Sequence, residues 1–282
     1  MQTVIGLGQA GCNIVDQFKQ YPQYKIIKLD KGLKKTKNSF GLKHQTSPEL
    51  YEENLPRGIV KYLQEGVMSE TLFVTSCGMV SGASLALLSR IRDLTKITVM
   101  YVIPENTELV GDKKLQNNLL FNVFQEYARS GLFKRVYLID NQKISDILGP
   151  VPLMKRWISM NNLIVSTYHM LNIFEHTPPF FTTTTKRINT ARISTIGVMD
   201  SENDEEKMFF ELDTPREKNY YYGVPQKQLE EDENLMTVIQ RNLKSNIDHD
   251  KMKSTYSVYS TEYDILLAYC EKSSTLIQKL AF

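Results

Sequence analysis

Little in this sequence points to covalent, metal or membrane chemistry. Cys12, Cys77 and Cys270 are the three cysteines, far apart and odd in number. They give neither a metal-binding spacing nor a disulfide framework, which fits a reducing compartment. His44, His169, His176 and His249 are scattered without ligand or triad spacing, so none reads as catalytic. No apolar run approaches the roughly 20 residues that cross a membrane, and no signal-peptide pattern opens the chain. The expected location is the cytoplasm, with no membrane partner. Charge of one sign is scarce too: 34 Lys and Arg stand against 32 Asp and Glu, for a net +2. The densest basic run, Lys31 to Lys37, reads as a solvated loop, and no nucleic-acid partner is evident. Internal repeats and low-complexity tails are absent.

What remains is a chain of 282 residues, 41% hydrophobic and 23% charged, with the composition of a globular protein of one large or two ordinary domains. Strand signals at 3–5, 25–29, 71–75, 97–103 and 135–139 alternate with helix patterns at 12–19, 48–64 (interrupted at Pro56), 83–92 and 113–128. Several of the strands are continuous Val/Ile/Leu/Phe runs, as parallel strands buried on both faces require. The order predicts an α/β fold with a doubly wound, mostly parallel sheet. A long helix is predicted from about 151 to 175, with Leu153, Trp157, Met160, Ile164, Thr167, Leu171 and Phe174 along one stripe, until Pro178-Pro179 stops it. Beyond it the texture changes to a smaller α+β region: strands at 191–198 and 207–212, a hairpin of 255–260 with 265–269, and a helix at 228–243. The acidic stretch Glu202 to Glu206 reads as an exposed loop. The domains are therefore placed at 1–150, 151–176 (a linking helix) and 177–282.

Two small-residue turns carry the functional signal. The first, Gly6-Leu7-Gly8-Gln9-Ala10-Gly11, leaves a strand and enters a helix, where backbone N–H groups attract an anion. Asp30, at the end of the next strand, allows a dinucleotide reading with an acid on the ribose. The second, Thr75 to Ser84, again joins a strand to a helix with Gly78, Ser81, Gly82 and Ala83. Two such turns on one sheet imply two walls around a single phosphate chain.

In these residues the chain resembles the tubulin/FtsZ superfamily of nucleotide-dependent filament proteins. Gly8-Gln9-Ala10-Gly11 is spelled as the first phosphate loop of tubulins, and Cys12-Asn13 is close to both branches. Residues 78–84 take the place of the glycine-threonine signature loop. Gly41-Leu42 through Thr46, Ser47 and Leu50 resembles the FtsZ loop facing the terminal phosphate, and 108–114 the segment beside the ribose. Asn141 matches a strand-end asparagine that contacts guanine, and Asn161-Asn162 falls where another base-contacting residue lies. The resemblance covers residues 1 to about 176 and implies a site for GTP or GDP, with or without Mg, at Gly8, Gln9, Ala10, Gly11, Cys12, Asp30, Thr46, Ser47, Gly78, Ser81, Gly82, Ala83, Asn141 and Asn162. It also implies head-to-tail self-association into polymers, in a compact version like those of phages and plasmids, and hence a host's cytoplasm for a viral protein.

Two departures temper the catalytic expectation. Met79 and Val80 replace glycines in the signature loop. In the superfamily one subunit inserts an acidic loop into its neighbour's site, whereas the stretch here reads Phe180-Phe181-Thr182-Thr183-Thr184-Thr185-Lys186-Arg187, with no Asp or Glu between Glu175 and Asp200. Threonine hydroxyls do not accept a proton at neutral pH, so weak or absent GTP hydrolysis is expected. The alternatives are a non-catalytic structural or adaptor subunit of a larger, for example viral, assembly, and an NAD-dependent oxidoreductase.

Overall fold

A computed structural model describes residues 1–199, 205–246 and 252–280. Met1–Val165 together with the segment from Ile277 onward form one compact unit, and Ser166–Leu276 form the second. The first unit runs β1 (Gln2–Leu7), α1 (Gly8–Asp16), β2 (Tyr24–Lys31), β3 (Ser39–Leu42), α2 (Pro48–Glu53), α3 (Ile59–Gly66), β4 (Glu70–Thr75), α4 (Ser84–Ile91), β5 (Lys96–Ile103), α5 (Asp112–Ser130), β6 (Arg135–Asp140) and α6 (Asn141–Leu148). Helix α7 (Leu153–His176) carries the chain into the second unit.

The first unit's strands are ordered β3-β2-β1-β4-β5-β6, and every pairing among them is parallel. The apolar runs explain this: Val4, Ile5, Phe73, Val74, Val99, Met100, Leu138 and Ile139 are all fully buried, with helices covering both sheet faces. Chain order reverses direction between β1 and β4, so a crevice opens there at the carboxyl ends of the strands. Local chemistry fixes the helix starts. Ser47 accepts a hydrogen bond from Leu50 N ahead of Pro48 in α2, and Asp140 accepts one from Gln142 N at 2.8 Å in α6. Burial raises the Asp140 carboxyl above its ordinary range. Helix α1 begins at Gly8 rather than at Cys12, because Gly8 takes φ +72° and turns the chain directly from strand to helix. The 48–64 pattern separates into α2 and α3 around Pro56, as its proline dictates.

The second unit, after α7, contains β7 (Phe181–Thr182), β8 (Ile193–Met199), β9 (Glu206–Met208), β10 (Glu217–Pro225), α8 (Gln226–Glu231), α9 (Leu235–Asn246), β11 (Lys253–Thr261) and β12 (Leu267–Ser274). The expected 255–260/265–269 hairpin does not form. Strand β10 lies between its two arms, parallel to β11 and antiparallel to β12. Its tyrosines explain the insertion: alternate side chains bury on opposite faces, which an edge position would not allow. Tyr220 and Tyr222 join Val258, Cys270, Leu235, Ile239 and Leu243 in an apolar cluster. Tyr221, on the other face, stacks near Phe174 and donates to Glu271. The 207–212 strand is shorter than expected, ending at Met208, and the 228–243 helix is two helices, α8 and α9. Of the acidic stretch read as a loop, residues 202–204 lie outside the described residues, as does His249; Glu206 begins β9.

The α7 stripe is buried only in part. Met160, Ile164, Thr167, Leu171 and Phe174 are buried, while Leu153 and Trp157 are exposed. The first turns of α7 therefore do not serve as core, and Trp157 is left for another role.

The three thiols are all buried, and burial pushes them up, Cys12 and Cys270 to about 12 and Cys77 to about 11. Cys12 packs its Sγ against the Gly6 and Leu29 carbonyls, as structural cysteines do. Native protein at pH 8 should leave all three unmodified by a thiol reagent on a timescale that labels the unfolded chain fully. Since folding raises these values, their stabilising effect is intact below the ordinary thiol value of 9.0 and is lost as pH rises toward the folded values. Rapid native labelling at pH 8 would contradict this burial.

Candidate nucleotide site

A cavity of about 410 Å³ opens at the carboxyl ends of β1, β4, β5 and β6. Leu7, Gly8, Gln9 and Ala10 line it from the β1–α1 turn, Ser76, Gly78 and Ser81 from the turn after β4, and Val102 and Pro104 from the end of β5. Glu108 and Lys113 precede and open α5, Asn141 opens α6, and Trp157 and Asn161 come from α7. Its volume falls within the range of small-molecule and cofactor sites.

Helix α1 reaches this cavity with no side-chain cap on its N-terminus. Its first N–H groups thus face the cavity without intrahelical partners, and with the positive end of the helix dipole they favour an anion. The close fit of α1 behind them is set by two glycines. A Cβ added to Gly6 would stand 2.5 Å from the Gly11 carbonyl oxygen, and one added to Gly11 would stand 2.4 Å from that of Val74. The turn after β4 tightens into a 3-10 helix, Met79–Ala83, whose cap at Gly78 likewise lacks a side-chain bond. Ser81 is held by Gln116 at 3.4 Å.

Lys113 is the cation in the lining and pairs with Glu108 at 3.0 Å, both side chains about a third exposed (37% and 39%). The ammonium is thus held at the cavity while still free to exchange partners with an entering anion. Asn13, Asn141 and Asn161 bring amides that both donate and accept hydrogen bonds. Trp157, the chain's single tryptophan, is 45% exposed against the same cavity and offers a flat ring.

Of the sequence-derived site residues, Gly8, Gln9, Ala10, Gly78, Ser81 and Asn141 line the cavity. The others stand elsewhere. Gly11 and Cys12 are buried behind the turn, where they pack helix against strand. Asp30 spends one carboxylate oxygen on Lys31 N at 2.7 Å, and burial raises its carboxyl above the ordinary range. Thr46 is exposed, and Ser47 caps α2. Gly82 admits the Pro48 backbone, since a Cβ there would lie 1.9 Å from the Pro48 carbonyl oxygen, and Ala83 is fully buried. Asn162 is exposed outside the lining, one residue from Asn161, which is inside it. Sequence reasoning passed over Trp157 as one member of an apolar stripe. The signal was available: a bulky ring four residues before Asn161 falls on the same helix face.

The stretch 180–187 has its own geometry in the second unit. Phe181 and Thr182 pair with Val258 and Ser257 of β11. Thr182 and Thr184 share the Ser257 hydroxyl at 2.7 and 2.9 Å, and Thr183 bonds to the Tyr256 backbone. Arg187 bridges to buried Glu271 at 2.9 Å and to the Tyr221 hydroxyl at 2.8 Å. The hydroxyls of Thr182, Thr183 and Thr184 are therefore engaged in fixing a strand-like segment.

No family model matches the sequence, and no curated protein matches it either. Solved structures do match in fold. A GTPγS-form protofilament of Bacillus thuringiensis serovar israelensis TubZ superposes with a TM-score of 0.70 at 16% identity, over 97% of this chain and 86% of that one. An FtsZ dimer from M. jannaschii gives 0.69 at 12% identity, over 96% and 87%. TubZ of a type III plasmid segregation system gives 0.66 at 16% identity, over 99% and 88%. The chain thus shares the fold of these TubZ and FtsZ structures at 12–16% identity.

Proposed function

From a chain with this fold, we propose a guanine-nucleotide-binding protein that assembles head-to-tail into filaments and hydrolyses GTP slowly or not at all. The observation that carries the reading is the uncapped N-terminus of α1 facing the turn after β4 across one cavity at the reversal point of the sheet. That arrangement suits a phosphate chain. The α1 amides and the Gly78–Ser81 turn would hold the phosphates, with Lys113 supplying charge. Trp157 would stack on a base, and Asn141 and Asn161 would pair with its polar edge. The TubZ neighbour in a GTPγS-form protofilament supports guanine and supports polymer formation.

Slow hydrolysis follows from the 180–187 segment. Phosphoryl transfer to water needs positioning and a place for the proton. The segment offers no carboxylate, and the hydroxyls of Thr182, Thr183 and Thr184 already bond to β11. The same feature favours the second reading, a structural subunit that has lost turnover while keeping the fold. Sedimentation and electron microscopy with GTP, with GTPγS and without nucleotide test the proposal. Filaments of equal lifetime are expected with GTP and GTPγS, and a phosphate-release rate far below that of a turnover-coupled filament protein. A monodisperse species in all three conditions would remove the filament reading, and fast phosphate release would remove the claim of slow hydrolysis.

A further inference from the structure

The lysine-rich turn between β2 and β3 is the densest basic run in the chain. Residues 31–44 hold Lys31, Lys34, Lys35, Lys37 and Lys43 and no Asp or Glu, in a protein whose net charge is only +2. All five are exposed. Lys31, Lys34, Lys37 and Lys43 form no ion pair among the described residues. A solvated run has no reason to be ordered, yet this turn is fixed. Ser39 Oγ donates to the Lys34 carbonyl at 2.8 Å and shares a bond with Thr36 Oγ1 at 2.7 Å. Thr36 N donates to the Ser39 carbonyl at 2.8 Å, and the Tyr62 hydroxyl donates to the Lys37 carbonyl at 3.1 Å. Lys35 lies 5.6 Å above the Phe40 ring. Gly41 lets the chain close on itself, since a Cβ there would meet the Leu33 carbonyl oxygen at 2.0 Å. The turn presents its ammonium groups from a preformed backbone, which lowers the ordering cost of a contact.

The chain also carries the complement. Glu230, Glu231, Asp232 and Glu233 are four acids in succession where α8 gives way to α9. Asp232 accepts from Asn234 N at 2.9 Å, which anchors the run at the start of α9. Glu230, Glu231 and Glu233 are exposed, and the cation near Glu231 is Lys227 at 3.8 Å, itself 81% exposed. Such an exposed pair exchanges freely for a stronger partner.

We propose that the Lys31–Lys43 surface of one copy mates with the Glu230–Glu233 run of a second copy, a charge-driven contact separate from the nucleotide site. A chain bearing both a fixed polycation and a matching polyanion recognises itself, and this favours a second copy over nucleic acid. Being electrostatic, the contact weakens as salt shortens the screening length below about 10 Å.

Sedimentation velocity on the full chain without nucleotide tests this independently of filament formation. At low salt the parent protein should self-associate, and association should fall at least tenfold at about 0.5 M salt. The triple variants Lys34→Glu/Lys35→Glu/Lys37→Glu and Glu230→Lys/Glu231→Lys/Glu233→Lys should each stay monomeric, with unchanged circular dichroism and melting temperature. An equimolar mixture of the two should associate as the parent does, because each then supplies what the other lost. A monomeric parent at low salt, variants that associate like the parent, or a mixture that stays monomeric would each overturn the proposal. So would a DNA duplex that binds the parent and not the lysine variant while self-association is unaffected by either set of substitutions.

Discussion

Gly11→Ala should lower the stability of the chain by about 3 kcal/mol and take nucleotide binding with it. The methyl group would enter a space 2.4 Å from the Val74 carbonyl oxygen, nearer than any side chain tolerates. Val74 is fully buried in β4, which pairs with β1 and β5, so the oxygen has nowhere to retreat. Helix α1 must move instead, at the cost typical of an overpacked core. That movement carries the uncapped amides at Gly8–Ala10 away from the cavity. Gly78→Ala is the contrasting case. Gly78 has an ordinary negative φ of −67° and open space around its Cβ position, so its substitution should change stability by less than about 0.5 kcal/mol. Urea unfolding of the two variants, read as a shift in midpoint at constant slope, compares them directly. Equal stability of Gly11→Ala and the parent would show that α1 is not seated as described.

Lys113→Ala should weaken binding of a guanine nucleotide by about 10- to 100-fold, the range of a lost charge-assisted hydrogen bond. Lys113 supplies the lining's ammonium, opposed at 3.0 Å by the Glu108 carboxylate. An arriving phosphate competes with that carboxylate. Glu108→Gln therefore has the opposite sign: it removes the charge that competes for Lys113 and should raise affinity. Because both side chains are partly exposed, neither change should disturb folding by more than about 1 kcal/mol. Calorimetric titration of the parent and both variants separates these effects. Unchanged affinity in Lys113→Ala would remove the lysine from the phosphate site.

The sequence made the first unit legible because its strands are continuous apolar runs, and such runs have few other places to go. Its two glycine turns also located the crevice, at the ends of β1 and β4. Residue-level assignments were less secure, because one small residue serves two physical ends. Gly11 and Gly82 read as parts of a phosphate cradle, and at both positions the missing side chain also admits backbone, from Val74 and Pro48. Asp30 reads as a ribose acid, and one of its carboxylate oxygens also accepts from Lys31 N. Asn161 and Asn162 differ by 100° around α7, an angle that decides which one meets the cavity and that a sequence leaves open without a fixed reference. The second unit was harder still. Its pairing is long-range, and hydrophobic alternation in 255–260 and 265–269 is the same whether the two strands touch or flank β10.

The central claim is that the cavity at the β1–β4 reversal binds a guanine nucleotide, and Trp157 provides the direct measurement. As the chain's single tryptophan, lining that cavity, it reports occupancy without any label. Titration of the intact protein with GTP or GTPγS should change its fluorescence saturably, with a dissociation constant of about 1 μM or tighter, near −8 kcal/mol. ATP and NAD should fail to reproduce the change at the same concentrations. A fluorescence signal indifferent to guanine nucleotide up to about 1 mM, confirmed by an absence of calorimetric heat, would contradict the account and leave the fold as a scaffold without its ligand.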